Sequence, residues 1–258
     1  MKRGIAIAGT HGKTTTTSLI SHMMSISGFD PTVVIGGKVN SLGSNAKLGR
    51  GEYLVAEADE SDGSFLKLNP TLAVVTTLDE EHLDYYADLD HIKETFLTFI
   101  NKIPFYGLAV LCLDQKNIRD IVPRIEKRYL SYGLCVNADL KADEIKLDRF
   151  ESSFRVTYRQ EDLGQFHLNM PGIHNICNSL AALGIGLELG IDLGVIRKAL
   201  DEFSGIQRRF QLKGHVDDIM VIDDYGHHPA EIRASLRAAK DGWPNNRLII
   251  IFQPHRYT

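Results

Sequence analysis

A glycine-rich turn near residue 10 has the composition of a phosphate-binding loop. The segment Gly9-Thr10-His11-Gly12-Lys13-Thr14-Thr15 follows the apolar run Ile5–Ala8 and opens a helical pattern. In a strand–turn–helix of this kind, backbone N–H groups cradle phosphates, Lys13 reaches the β- and γ-phosphates and the Thr14 hydroxyl holds Mg²⁺. Ile7 replaces the first glycine of the strict motif, so an ordinary Gly-Lys-Thr turn is the alternative. Four consecutive threonines, Thr14–Thr17, have a low propensity to start a helix, which favours a functional role for their hydroxyls.

A second candidate for the same chemistry is the acid that ends the next long apolar run. Tyr53–Ala56 leads directly into Glu57. A carboxylate at the C-terminal end of a strand beside a phosphate loop is well placed to bind a nucleotide-bound Mg²⁺. Glu57 is therefore the preferred metal ligand. A solvated loop is expected for the later acids Asp59, Glu60 and Asp62.

A single histidine follows the next apolar run. Leu72–Thr77 is succeeded by the acidic segment Leu78-Asp79-Glu80-Glu81-His82-Leu83-Asp84. Magnesium seldom takes imidazole, so the composition alone makes His82 a weak candidate for a metal ligand.

Asparagines cluster where a later helix pattern begins. Pro171-Gly172-Ile173 leads into His174, Asn175 and Asn178. The two asparagines are three residues apart and share a helix face, and their amides offer the donor and the acceptor that an adenine edge needs. Capping of the helix by the His-Asn pair is the alternative.

Two pairs of adjacent polar residues lie farther along. Arg208 and Arg209 suit phosphate, because the guanidinium fork binds it bidentately, although a solvated charge pair is the simpler interpretation. His227 and His228 lie in a turn before a helix pattern. No third ligand stands at zinc-like spacing from them, which argues against a structural zinc site.

The elements that position these residues alternate between strand and helix. Lys13–Ser27 is predicted as a helix that ends at Gly28, and Asp90–Asn101 as a helix with an acidic first residue that could cap it. Apolar runs without polar alternation are typical of buried parallel strands. The predicted strands are Ile5–Ala8, Thr32–Ile35, Tyr53–Ala56, Leu72–Val75 and Leu108–Cys112. This order predicts an α/β fold with a mostly parallel sheet flanked by helices.

The pattern changes near residue 140. Short antiparallel strands are predicted at Glu144–Leu147, Phe154–Tyr158 and Gln165–Asn169, and helices at His174–Leu189 and Asp192–Phe203. A new βαβ unit then begins, with predicted strands Met220–Asp223 and Leu248–Phe252 around the helix Pro229–Lys240. We therefore expect two domains, 1–209 and 210–258, the second a Rossmann-like α/β domain that the chain leaves incomplete.

The composition excludes several classes of protein. The 258 residues are 43% hydrophobic with a net charge of −4, so no basic field attracts nucleic acid or an anionic membrane. No apolar run approaches the length of a membrane helix or a signal peptide, so a cytoplasmic location is expected. Cys112, Cys135 and Cys177 are too scattered for a disulfide framework or a zinc site and are expected to be core thiols.

Taken in order, these segments resemble the Mur ligase family. The similarity extends from Gly4 to Thr258. It is carried by the phosphate loop, the string Glu57–Asp62, the string Glu81–Asp84, the glycine-His-Asn turn, the arginine pair and the segment Asp223–Pro229. The His11 loop and the Glu57–Asp62 string are most similar to the alanine-adding branch of the family.

The resemblance implies roles that the residue types alone left open. Glu57 and His82 would bind Mg²⁺ together with Thr14, and Lys13 and Arg209 would contact the γ-phosphate of ATP. The residues Gly9, Thr10, His11, Gly12, Thr14, Thr15, His174, Asn175, Asn178 and Asp224 would bind the nucleotide. The catalytic set would be Lys13, Glu57, His82 and Arg209, with His227 and His228 facing the acceptor substrate.

The resemblance also implies a reaction. The carboxylate of UDP-N-acetylmuramate would attack the γ-phosphate of ATP, and the amine of L-alanine would displace phosphate from the acyl phosphate, as in peptidoglycan precursor synthesis. We expect these residues to bind Mg-ATP and to ligate little by themselves, because the family's domain for the UDP-sugar has no counterpart here. Alternatives are a muropeptide-recycling ligase, folylpolyglutamate synthase, cyanophycin synthetase, a nucleotide-binding switch without ligase chemistry and a non-catalytic remnant.

Overall fold

A mixed β-sheet forms the centre of the computed structural model, which describes residues 2–36, 45–134 and 137–254. Its strands are β1 Arg3–Ala8, β2 Thr32–Val34, β3 Ala46–Lys47, β4 Tyr53–Glu57, β5 Leu72–Val75, β6 Leu108–Cys112, β7 Tyr129–Gly133, β8 Leu140–Asp148, β9 Glu151–Tyr158 and β10 Glu161–Leu168. Within the described residues, the strand order is β10-β9-β8-β7-β6-β5-β1-β4-β2-β3.

The middle of the sheet is parallel, as the strand–helix alternation predicted. β1 pairs in parallel with β4 on one side and β5 on the other, and β5 pairs in parallel with β6. All residues of β5 and β6 are buried, in agreement with their unbroken apolar sequences. Because the strands are parallel, the residues that follow β1, β4, β5 and β6 meet at one edge of the sheet.

Helices flank this sheet. They are α1 Lys13–Ile26, α2 Leu89–Asn101, α3 Lys116–Ile121, α4 Ile173–Glu188, α5 Leu193–Asp201 and α6 Pro229–Gly242. α1 packs against α4 and α5, and α4 packs across β6 and β7. The N-cap residue of α2 is Asp88, whose carboxylate accepts from the His91 N–H. The expected cap, Asp90, is therefore wrong by two residues.

The antiparallel addition is continuous with the main sheet. β8 and β9 pair antiparallel, as do β9 and β10, and β8 joins the parallel strands through β7. The prediction of short antiparallel strands after residue 140 is confirmed. β7 was not predicted from the sequence, because its residues Tyr129–Gly133 mix polar and apolar side chains.

The segment after residue 210 departs from the predicted βαβ unit. β11, Gln211–Val216, and β12, Ile219–Asp223, form a separate antiparallel hairpin that precedes α6. Leu248–Phe252 is not a strand, and each of its side chains is exposed. A strand needs a neighbour for its N–H and C=O groups, and no described strand pairs with this apolar run. Residues 255–258, the last over which the family resemblance extends, lie outside the described residues.

None of the helices in the described parts of the chain combines the length and the apolar character needed to cross a bilayer.

Candidate nucleotide-binding site

The glycine-rich turn joins β1 to α1 and lies against the end of β5. Gly9 and Gly12 both have positive φ, at 131° and 81°. A Cβ atom on Gly9 would lie 2.3 Å from Oγ1 of Thr76, and one on Gly12 would lie 2.6 Å from Oδ1 of Asn178. The His11 N–H donates to Oγ1 of Thr77 at 2.7 Å, which fixes the loop. Only glycine fits either position, because of both backbone angle and space.

Lys13 is folded over this turn. Its Nζ donates to the carbonyl oxygen of Gly9 at 2.7 Å and to Oε1 of Glu60 at 2.8 Å. Glu60 is only 3% exposed, and burial raises the pKa of its carboxyl, with the ammonium of Lys13 acting in the opposite direction. A buried acid therefore already holds at the loop the lysine that the sequence motif predicts to reach phosphate.

The expectation of a solvated loop is wrong for Glu60 and right for its neighbours. Asp59 and Asp62 are exposed, whereas Glu60 turns inward beneath the loop. The Tyr86 hydroxyl donates to the Glu60 carbonyl oxygen at 2.5 Å, which helps to hold this turn. A run of four acids does not indicate which one faces inward, so the sequence contained no signal for Glu60.

Glu57 and Thr14 are brought together as the sheet order requires. Glu57 ends β4, next to β1, and the Thr14 hydroxyl lies 3.1 and 3.2 Å from its two carboxylate oxygens. The Gly36 N–H also donates to Glu57, at 2.8 Å. His82 reaches the same region with left-handed backbone, and its Nε2 lies 4.0 Å from Oε1 of Glu60.

These donors fit Mg²⁺. The metal takes hard oxygen ligands and, when it is bound through phosphates, needs only one or two from the protein. A hydroxyl and a carboxylate are present at Thr14 and Glu57, and Oε2 of Glu60 is buried without a hydrogen-bond partner in the described structure. Among the described residues there is no cluster of three or more His, Cys, Asp or Glu side chains that would hold a metal by itself. The donor set therefore fits a metal that is delivered with a nucleotide.

A chain of amides connects the turn to α4. The Thr16 hydroxyl donates to Oδ1 of Asn178 at 3.2 Å, and Nδ2 of Asn178 donates to Oδ1 of Asn175 at 3.3 Å. Nδ2 of Asn175 donates to the carbonyl oxygen of Pro171 at 2.7 Å. The alternative of helix capping is wrong, because the N-cap residue is Gly172 and no side chain caps it.

A cavity of about 230 Å³ opens between the turn, α4 and the segment after residue 205. The predicted site residues that line it are His11, Gly12, Thr14, Thr15, His174, Asn175, Asn178, Arg209 and Asp224. The cavity is also lined by residues that were not predicted as site residues, among them Asp79, Cys112, Asp114, Tyr132, Cys177, Phe210 and Glu231. Asp79 and Asp114 follow β5 and β6, so the rule of carboxyl strand ends could have found them.

Glu231 joins the turn to the segment that carries α6. Its Oε1 lies 3.4 Å from Nδ1 of His11 and 3.5 Å from a terminal nitrogen of Arg209. Burial acts to raise the pKa of Glu231, but the hydrogen bond to His11 and the charge of Arg209 outweigh it and lower the pKa to about 2. Arg209 is thus held at the cavity wall by a partly buried, ionised acid.

The remaining predicted residues of this segment lie close by. Asp224 accepts from the N–H groups of Phe210 at 2.8 Å and Gly226 at 2.7 Å. His228 caps α6, and its ring lies 4.5 Å from the ring of His11. His227 donates its backbone N–H to Glu231. Neither of the two histidines is among the residues that line the cavity.

His174 gives the site a testable pH dependence. Burial is the main cause that lowers its pKa to about 4, against the nearby charge of Asp224. The pKa of His174 is lower in the folded chain than in the unfolded chain. As the pH falls from 6.5 towards 4, His174 is therefore protonated in the unfolded chain first, which favours unfolding. We expect His174 to contribute a loss of about 2 kcal/mol in the free energy of unfolding between pH 7 and pH 5.

Urea titrations at the two pH values measure this contribution as a difference between proteins. His174→Gln should lose about 2 kcal/mol less than the unchanged chain on going to pH 5. Exposed His215→Gln is the matched control and should retain the full loss. Equal losses in all three proteins would show that His174 is already protonated or solvated in the folded state.

Comparison with known proteins agrees with this geometry. Residues 7–186 match the model of the Mur ligase middle domain, and residues 208–257 match the Mur ligase, glutamate ligase domain. The UDP-N-acetylmuramate–L-alanine ligase of Trichlorobacter lovleyi is 59% identical over 259 residues, which cover 100% of this chain and 57% of that protein. The chain therefore spans little more than half the length of this relative.

Solved structures give the same result. The crystal structure of UDP-N-acetylmuramate-alanine ligase from Thermotoga maritima is 31% identical, with a TM-score of 0.87 over 99% of this chain and 58% of that one. A murein peptide ligase from Psychrobacter arcticus is 27% identical, with a TM-score of 0.73 over 95% of this chain and 56% of that one. The chain belongs to the Mur ligase family.

Proposed function

We propose that this chain carries the Mg-ATP site of a ligase that joins L-alanine to the carboxylate of UDP-N-acetylmuramate. The observation that carries the proposal is that Thr14, which follows Lys13 in the glycine-rich turn, both contacts Glu57 and lines a cavity that α4 and the α6 segment complete. The high identity to alanine-adding ligases supports the choice of acceptor and amino acid. Domains 1–209 and 210–258 would then close on the nucleotide from two sides.

Each residue of the site has a role in this proposal. Lys13 and Arg209 neutralise the γ-phosphoryl group while the sugar-nucleotide carboxylate attacks it, and the products of this step are ADP and an acyl phosphate. The amine of L-alanine then attacks the acyl carbon, and phosphate leaves. Thr14, Glu57 and His82 would hold Mg²⁺, which would supply charge neutralisation for the phosphoryl transfer.

The cavity wall accounts for the nucleotide itself. His174 and Asn175 line the cavity, and burial favours the neutral form of His174 beside the nucleotide. Asn178 braces Gly12 and Thr16, so it acts on the phosphate loop. Asp224 lines the cavity from the α6 segment, and we assign His227 and His228, of the same segment, to the acceptor side.

A chimera tests the complete reaction. The 258 residues replace the aligned 259 residues of the Trichlorobacter lovleyi ligase, and ADP release is followed with a coupled assay. We expect ADP release that requires both UDP-N-acetylmuramate and L-alanine, and formation of the corresponding amide by mass spectrometry. The chain alone should bind ATP without this dependence.

Other outcomes of this assay identify the alternatives. A chimera that accepts a tripeptide in place of L-alanine would be a muropeptide-recycling ligase. ATP hydrolysis that no acceptor accelerates would indicate a nucleotide-binding module without ligase chemistry. Either result would overturn the proposed reaction and leave the nucleotide site in place.

A further inference from the structure

Two cysteines meet in the wall of the cavity. Cys112 is the last residue of β6 and is 3% exposed, and Cys177 lies on α4, which packs across β6. Both line the cavity, and Cys177 is only partly buried. The expectation of inert core thiols is therefore incomplete for this pair. Cys135 lies outside the described residues.

The surroundings of this pair are polar. The Cys112 sulfur is in hydrogen-bond contact with the Cys177 thiol, with the backbone N–H of Asp114 and with the Tyr132 hydroxyl. The Cys177 contact is the main cause that lowers the pKa of the Cys112 thiol, while burial opposes it. A buried thiol with three polar partners, next to a second thiol that lines the same cavity, is an arrangement for thiol chemistry rather than for apolar packing.

The pair is also coupled to the phosphate loop. Asn178 follows Cys177 on α4, accepts from the Thr16 hydroxyl and leaves no room for a Cβ atom on Gly12. The S–S bond, of about 2.05 Å, is much shorter than a hydrogen-bond contact between two thiols. We therefore expect a disulfide at this place to draw the first turns of α4 towards β6 and to move Asn178 with them.

We propose that Cys112 and Cys177 form a redox-active dithiol that peroxide converts to a disulfide, and that this disulfide closes the cavity to nucleotide. The effect of the disulfide on nucleotide binding rests on the proposed function. The Cys112 thiolate attacks one peroxide oxygen and forms a sulfenic acid, and hydroxide leaves. The Cys177 sulfur then attacks the sulfenic sulfur, the S–S bond forms and a second hydroxide leaves. The two thiol protons end on the hydroxides, so two thiols and one peroxide give one disulfide and two waters.

Hydrogen peroxide and the 258-residue chain test this directly. The reduced chain is treated with one equivalent of peroxide, and the cross-linked peptide is identified by non-reducing mass spectrometry. We expect a Cys112–Cys177 disulfide, an affinity for Mg-ATP that falls at least about tenfold, and recovery with dithiothreitol. Bound Mg-ATP should protect the pair and slow its oxidation.

Three variants make the test specific. Cys135→Ser is the matched control and should respond to peroxide as the unchanged chain does. Cys112→Ala and Cys177→Ser, checked for folding by circular dichroism, should keep their ATP affinity after peroxide. A disulfide to Cys135, no disulfide, or a Cys112–Cys177 disulfide with unchanged affinity would overturn the proposal. A reduced chain that binds no ATP would count against the proposed function, whereas the mass spectrum would still decide whether the dithiol exists.

Discussion

Replacement of Lys13 by alanine is expected to weaken ATP binding about 100-fold, because the ammonium group supplies charge-assisted hydrogen bonds to the β- and γ-phosphates. In the structure Nζ of Lys13 lies 2.7 Å from the Gly9 carbonyl oxygen and is held there by Glu60. The lysine is thus preorganised, and the segment Gly9–Thr14 contains no second Lys or Arg that could replace it. Calorimetric titration of Mg-ATP into the two proteins measures the difference.

The same substitution has a second effect that needs a control. Glu60 is 3% exposed and loses its ion-pair partner, which is expected to lower the free energy of unfolding by about 3 kcal/mol. The double variant Lys13→Ala/Glu60→Gln removes the buried charge and should regain stability without regaining ATP binding. A double variant that binds ATP as tightly as the unchanged chain would show that Lys13 does not contact the phosphates.

Replacement of Glu57 by glutamine is expected to abolish most of the Mg²⁺ dependence of ATP binding. The amide retains the size of the carboxylate and can still accept from the Thr14 hydroxyl and the Gly36 N–H. It is a much poorer Mg²⁺ ligand, so the affinity in the presence of Mg²⁺ should fall about tenfold or more. The affinity measured in EDTA should change little.

Asp59→Asn is the matched control for this change. Asp59 lies two residues farther along and is exposed, so its replacement should leave both affinities unaltered. If Glu57→Gln weakens ATP binding equally with and without Mg²⁺, the carboxylate acts on the shape of the loop and not on the metal.

The sequence predicted those parts of the site that follow from local pattern and sheet order. The strand before Gly9, the helix from Lys13 and the strand before Glu57 each have a local signature. Parallel pairing of β1 with β4 then brings Glu57 to Thr14 without further information. The roles of His82 and Asp224 came only from the family resemblance. The pair of Arg208 and Arg209 indicated phosphate by its chemistry, but only the resemblance selected Arg209.

What the sequence could not predict depends on contacts between distant segments. The inward turn of Glu60 and the contacts of Glu231 with His11 and Arg209 arise from tertiary packing. Leu248–Phe252 was predicted as a strand that the structure does not contain. Its five apolar residues have strand propensity, but no described strand pairs with them. The meeting of Cys112 with Cys177 likewise depends on how α4 crosses β6.

Titration of Mg-ATP into the unchanged, folded 258-residue chain is the most direct test of the nucleotide site. We predict binding of one nucleotide per chain that is weakened by EDTA and weakened about 100-fold in Lys13→Ala/Glu60→Gln. A chain that is folded by circular dichroism and takes up no ATP at millimolar concentration would contradict the assignment of the cavity to a nucleotide.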